Sequence, residues 1–140
     1  MKGIEIGDNV KFQTRVVLVC WGDNAKLVIG NNALICDGVI INAHESVNIG
    51  SNSMIAAYSY VVDNNHGMEL GTPMIHQECT SCPIYIGDDV WIGTHCIVTS
   101  GVRIGIGSVL GAGAIAVDAI GEYMIAVGTP AREVKSRLKL

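Results

Sequence analysis

The 140-residue chain has little that is large or charged: one Phe, two Trp and four Tyr, three Pro, and charged residues at only 16%. Hydrophobic residues nevertheless make up 49% of it, largely as Ile, Val and Ala. So apolar a chain cannot stay disordered. The shortage of Leu, Glu and Lys beside many β-branched residues and Gly excludes a helical bundle. No apolar run reaches the roughly 18 residues of a membrane span. The net charge of −4 makes non-specific nucleic-acid binding a poor fit. Five Cys form no even framework, so reduced thiols and a cytoplasmic location are expected. What is present is 17 Gly and small branched side chains, the makings of an all-β fold with many turns.

The charge is unevenly placed. From Arg132 to Leu140 four basic residues stand against Glu133, a net +3, which leaves −7 on the rest. The length bounds one domain.

From Ile86 the chain repeats every six residues as IGDDVW, IGTHCI, VTSGVR, IGIGSV, LGAGAI and AVDAIG. The first place holds Ile86, Ile92, Val98, Ile104, Leu110 and Ala116. The fifth is small or β-branched, from Val90 and Cys96 to Ala114 and Ile120. The phase runs backwards through Ile49, Ile55 and Val61, then Ile29, Ile35 and Ile41, and more weakly Ile6, Phe12 and Leu18. Between Val61 and Ile86 lie 19 residues more than one repeat. A six-residue unit is a short strand plus a turn, with Gly or Asn where φ is positive. Successive coils then stack about 4.8 Å apart, and narrow columns of Ile and Val leave no room for aromatics. A Gly-rich β-sandwich would instead alternate with period two.

The stretches VVDNNHG (61–67), PIYIGDDVWIG (83–93), GAGAIAVDAI (111–120) and AVGTPAREVK (126–135) carry a resemblance. The chain resembles the hexapeptide-repeat acyltransferases along nearly its whole length. The resemblance implies a single-stranded left-handed parallel β-helix of about five coils, an exception to the right-handed crossover rule. The β-helix is expected over 1–129 with a protruding loop over 63–83. A short basic helix is expected over 130–140, with Pro130 in its first turn.

A His in DNNHG is more often a solvated loop residue than a base, and four His make any single choice weak. The resemblance to sugar and xenobiotic acetyltransferases singles out His66 as the general base that takes a proton from an acceptor hydroxyl. Asp63 either fixes the imidazole tautomer or caps the loop. His44 falls where related enzymes carry a substrate-contacting Asp, and Cys36 where they carry an Asn. The resemblance implies acetyl-CoA as co-substrate, in a groove between subunits of a homotrimer, contacting the backbone at Thr94, Ala112 and Val117. The Thr94 N–H, or a neighbouring one, would serve the tetrahedral oxyanion. Arg132 and Lys135 match the family's basic pair for coenzyme phosphates, although Asp118 replaces a frequent Lys. Trp91 occupies an outward sixth place, where it packs on pantetheine, acceptor or a neighbouring subunit. HQECTSC (76–82) offers three metal ligands where structural zinc takes four, so no metal is expected. Ser100 stands where the carbonic anhydrases of the fold need a second His. No Cys or Ser adjoins His66 in sequence, so no acyl-enzyme is expected.

The implied activity is acetyl transfer to a hydroxyl of a sugar or polysaccharide precursor. Rival readings are transfer to an antibiotic hydroxyl, with Met68, Pro73, Met74 and Ile75 lining the pocket, and an inactive β-helix serving as a binding scaffold.

Overall fold

A computed structural model describes residues 3–139. Each coil is a triangle of three short strands. The first coil is β1 (Ile4–Ile6), β2 (Lys11–Phe12) and β3 (Val17–Cys20); the second is β4 (Lys26–Ile29), β5 (Leu34–Ile35) and β6 (Ile40–Ala43). The third is β7 (Ser46–Ile49), β8 (Met54–Ile55) and β9 (Tyr60–Val62). A hairpin of β10 (Asn64–His66) and β11 (Cys79–Ser81) then leaves the solenoid. The fourth coil is β12 (Ile84–Ile86), β13 (Trp91–Ile92) and β14 (Ile97–Val98); the fifth is β15 (Arg103–Ile104), β16 (Val109–Leu110) and β17 (Ile115–Ala116). A bridge at Ile120 and strand β18 (Met124–Val127) begin a sixth. Like-placed strands stack in register, so the triangle has three parallel sheets. The first holds β1, β4, β7, β12 and β15; the second β2, β5, β8, β13, β16 and β18; the third β3, β6, β9, β14 and β17.

The first-place residues from Ile29 to Ala116 are fully buried and form columns along the axis. The lowest coil differs. Ile6 and Phe12 are 48% and 40% exposed, because a coil covers them on one side only.

The glycines serve two separate purposes. At the two corners that flank the second sheet, the fourth place of the hexapeptide takes positive φ whatever occupies it: Asn9, Asn32, Asn52, Asp89, Tyr58 and His95 do so beside Gly38 and Gly107. Second-place glycines have ordinary φ but lie against the next coil. A Cβ on Gly50 would sit 2.4 Å from the Gly87 carbonyl carbon, and backbone cannot move aside. Close stacking and positive φ together explain the glycine content.

Buried Ser at the fifth place ties coil to coil. Ser59 Oγ donates to the Gly93 carbonyl (2.8 Å) and accepts the Cys96 N–H (3.1 Å). Ser53 and Ser108 make the same two bonds to Gly87 and Val90, and to Gly121 and Met124. Cys96 copies half of this, its thiol reaching the Gly111 carbonyl at 3.1 Å. Ser59→Ala is therefore expected to cost about 1–3 kcal/mol, since it strands two buried polar groups. Ser59→Cys should cost less, and thermal denaturation of both variants checks the order.

The expected C-terminal helix does not form. Residues Arg132–Ser136 make strand β19, antiparallel to β18, followed by a 3-10 turn at Arg137–Lys139. Two reasons are visible. The last coil presents a free strand edge that β19 pairs. Ala131 alone of this stretch reaches the core, while Val134 and Leu138 are exposed, so among the described residues a helix would have little to bury. Pro130 instead lies in the reversal between the strands.

Candidate active site

Asp63 organises the corner between the third and first sheets. It is fully buried, and its carboxylate accepts the backbone N–H groups of His44 (2.7 Å), Glu45 (2.8 Å) and Ser46 (2.8 Å). Those residues form the turn one coil below, so one side chain ties that turn to the root of the hairpin. Of its two expected roles, the geometry places Asp63 in the cap. The Asp63 carbonyl accepts from Cys82 N–H (2.9 Å) and from Ser100 Oγ (2.7 Å), which closes the hairpin neck. Ser81 Oγ donates to Glu45 Oε2 at 3.1 Å and ties the outgoing strand to the same turn. Ser100 is thus part of the neck.

The hairpin register pairs His66 with Cys79. Cys79 Sγ lies 3.7 Å from His66 Nδ1, and both residues are exposed. Beyond them the tip is held by Gln77. Its amide donates to the carbonyls of Glu69 (2.9 Å) and Thr72 (2.7 Å) and accepts the Glu69 N–H (2.9 Å). Met68, Met74 and Ile75 are exposed on this tip. His44 is exposed on the anchored turn, so both histidines flank Asp63.

The other expected site residues fall elsewhere on the triangle. Thr94 and Ala112 stack on successive coils at the corner between the second and third sheets. Thr94 Oγ1 donates to the Ala57 carbonyl (2.7 Å). Val117 is exposed at the same corner as the hairpin, two coils further along. Trp91 stands on the outer face of the second sheet, the side of the triangle opposite the hairpin corner. It is 50% exposed in a groove of about 470 Å³ lined by Met54, Val109 and Ile125 and rimmed by Asp89 and Arg137. Trp91 and His66 therefore cannot meet within one chain.

The basic tail is partly consumed by the acidic body. Arg132 pairs with Asp118 (2.9 Å) and Arg137 with Asp89 (3.2 Å). Lys135 makes no ion pair among the described residues. Exposed pairs of this kind contribute little stability, but they set the local charge.

Burial raises the thiols of Cys20, Cys36 and Cys96 above their ordinary value. Cys79 and Cys82 are exposed. No group of three or more His, Cys, Asp or Glu among the described residues is placed to hold a metal. No helix among them is long and apolar enough to cross a membrane. Sequence reasoning weighed Cys79 only as a metal ligand and passed over Gln77; neither belongs to the hexapeptide period, and only the hairpin brings them to His66 and the tip.

Three-stranded coils of hexapeptides with a looped-out hairpin define the class: a parallel β-helix of the hexapeptide-repeat type. Residues 83–116 match the family model described as the hexapeptide repeat of succinyl-transferase. The chain is 30% identical to a proposed lipopolysaccharide-biosynthesis O-acetyl transferase of Escherichia coli, covering 94% of this chain and 71% of that protein. Among solved structures it superposes on a hexapeptide-repeat acetyltransferase of Vibrio cholerae complexed with acetyl-CoA, with a TM-score of 0.85 and 26% identity over 96% of this chain and 70% of that one. It also superposes on a galactoside acetyltransferase in complex with coenzyme A, with a TM-score of 0.86 and 32% identity over 95% and 64%. The chain belongs to the hexapeptide-repeat acetyltransferase family. It spans about half the length of the longer curated relatives it matches.

Proposed function

We propose that the protein transfers an acetyl group from acetyl-CoA to a hydroxyl of a sugar or polysaccharide precursor, with His66 as general base. The observation that carries this reading is an exposed imidazole on a hairpin whose root is locked by Asp63. Its Nδ1 is turned to Cys79, which leaves Nε2 on the side of the ring away from that sulfur. The relatives supply the co-substrate: two of the solved ones hold acetyl-CoA or coenzyme A, and one is named for a galactoside.

In this mechanism Nε2 of His66 accepts the hydroxyl proton as the acceptor oxygen attacks the thioester carbonyl carbon. General-base help of this kind contributes about 10²–10⁴ in rate. The tetrahedral oxyanion takes a hydrogen bond from a turn N–H, that of Thr94 or its neighbour. Collapse expels the coenzyme thiolate, which recovers the proton from the imidazolium. Backbone at Thr94, Ala112 and Val117 lies along the coenzyme. Lys135 carries more of its phosphate contact than Arg132, whose charge Asp118 offsets. His44 contacts the acceptor from the anchored turn.

The active assembly is a homotrimer, which supplies what one chain lacks. The face bearing Trp91 and the corner bearing His66 lie on opposite sides of the triangle, so a site using both needs two chains.

The test is to incubate the purified protein with acetyl-CoA and a panel of galactosides, glucosides and antibiotic alcohols, then to detect acetylated products by mass spectrometry. Acetylated sugar is the expected result. Acetylation confined to antibiotics would replace the acceptor class, and absence of coenzyme A binding by calorimetry would leave a binding scaffold.

A further inference from the structure

We propose that Cys79 is a positioning residue for His66: its sulfur accepts the Nδ1–H of the imidazole and so holds the ring in the tautomer whose Nε2 is free to take a proton. This rests on the reading of His66 as the base.

A neutral imidazole has one donor and one acceptor nitrogen, and whatever faces the first decides the second. A base that uses Nε2 needs its proton kept on Nδ1. Catalytic histidines commonly owe this to a carboxylate, and Asp63 is the natural candidate by sequence. The structure removes it from that duty, since both its oxygens are taken by the backbone N–H groups of residues 44–46. Among the described residues, the side-chain hydrogen-bond partner of the His66 ring is the Cys79 sulfur, 3.7 Å from Nδ1 and within reach of an N–H···S bond.

The pairing is fixed by more than the two side chains. His66 and Cys79 are directly opposed in the β10/β11 ladder, and Gly67 N–H reaches the Glu78 carbonyl at 3.1 Å just beyond them. The neck bonds from Ser81 to Glu45 and from Cys82 to Asp63 hold the returning strand on the other side. Cys79 therefore cannot slide along the strand away from the ring. A sulfur is a weak acceptor, but the task is modest: it needs only to favour one tautomer over the other. If removal lets the competent tautomer fall to about a tenth of the population, kcat falls roughly tenfold with it.

Two measurements on the full chain test this. Nitrogen NMR of histidine-labelled protein, with the His66 signal assigned by substituting the other three histidines in turn, reads the tautomer directly and needs no activity. The wild type should hold the proton on Nδ1, Cys79→Ala should lose that preference, and Cys79→Ser should restore it, because a hydroxyl oxygen accepts from the same place. In acetyl transfer, Cys79→Ala should lower kcat roughly tenfold with KM for acetyl-CoA unchanged, and Cys79→Ser should recover most of the loss. A His66 tautomer indifferent to residue 79, or a serine variant no better than alanine, overturns the proposal. If the tautomer follows residue 79 while no variant transfers acetyl, the coupling stands and the reading of His66 as the base falls. Thermal midpoints of all three proteins should agree, as the thiol is exposed.

Discussion

His66→Ala should lower kcat for acetyl transfer by about 10²–10⁴ while leaving the thermal midpoint nearly unchanged. The size follows from the chemistry: an acceptor hydroxyl is a weak nucleophile until its proton leaves, and no other group takes that proton at the same place. The silence in stability follows from the structure. His66 is exposed and its ring hydrogen-bonds to a thiol that is itself exposed, so little packing is lost. KM for acetyl-CoA should stay within about twofold, because the coenzyme contacts proposed at Thr94, Ala112 and Val117 are backbone contacts on other coils. Steady-state kinetics with saturating acceptor, beside a melting curve, separates this outcome from its rivals. A variant with full kcat would remove His66 from the chemistry. A variant that melts early would make it part of the frame.

What could be read from the residues alone divides along the period. First-place Ile and Val announce their burial because every coil repeats the same demand, and the columns from Ile29 to Ala116 follow that reading. Ile6 and Phe12 obey the pattern but not the burial, since periodicity says nothing about where a stack ends. The tail was misread for a related reason. AREVKSRL after Pro130 suits a helix locally, yet the free edge of β18 decides in favour of a strand, as tertiary context commonly does over propensity. The site was legible in part. His66 could be placed by counting from Val61, whereas its contact with Cys79 depends on a hairpin closed by a long tip with no two-residue turn signal. The cap role of Asp63 was open in sequence because a carboxylate beside a loop suits either a ring nitrogen or a row of backbone N–H groups. The separation of Trp91 from His66 comes only with the triangle, which sets the face of the second sheet opposite the hairpin corner.

Asp63→Ala should be the most destabilising of the single changes proposed, by about 3–5 kcal/mol. Removing the buried charged member of a hydrogen-bond set leaves the others unpaired and opens a hole beneath them. Here those others are three N–H donors at His44, Glu45 and Ser46. Asp63→Asn should not rescue it, because one carboxylate oxygen becomes an NH₂ group facing N–H donors. The damage should be local before it is global. Amides of residues 44–46 should lose about 10²–10³ in hydrogen-exchange protection, while those of the fifth coil keep theirs until the whole chain opens. Urea denaturation should show the lowered midpoint. Activity should fall with it even where the chain remains folded, because the turn bearing His44 and the root of the hairpin bearing His66 share this one anchor. That joint loss distinguishes Asp63 from His66, whose replacement stops the chemistry and spares the frame. Undiminished protection at residues 44–46 in Asp63→Ala would mean that the turn holds itself, and the carboxylate would then have to be explained by something other than the cap.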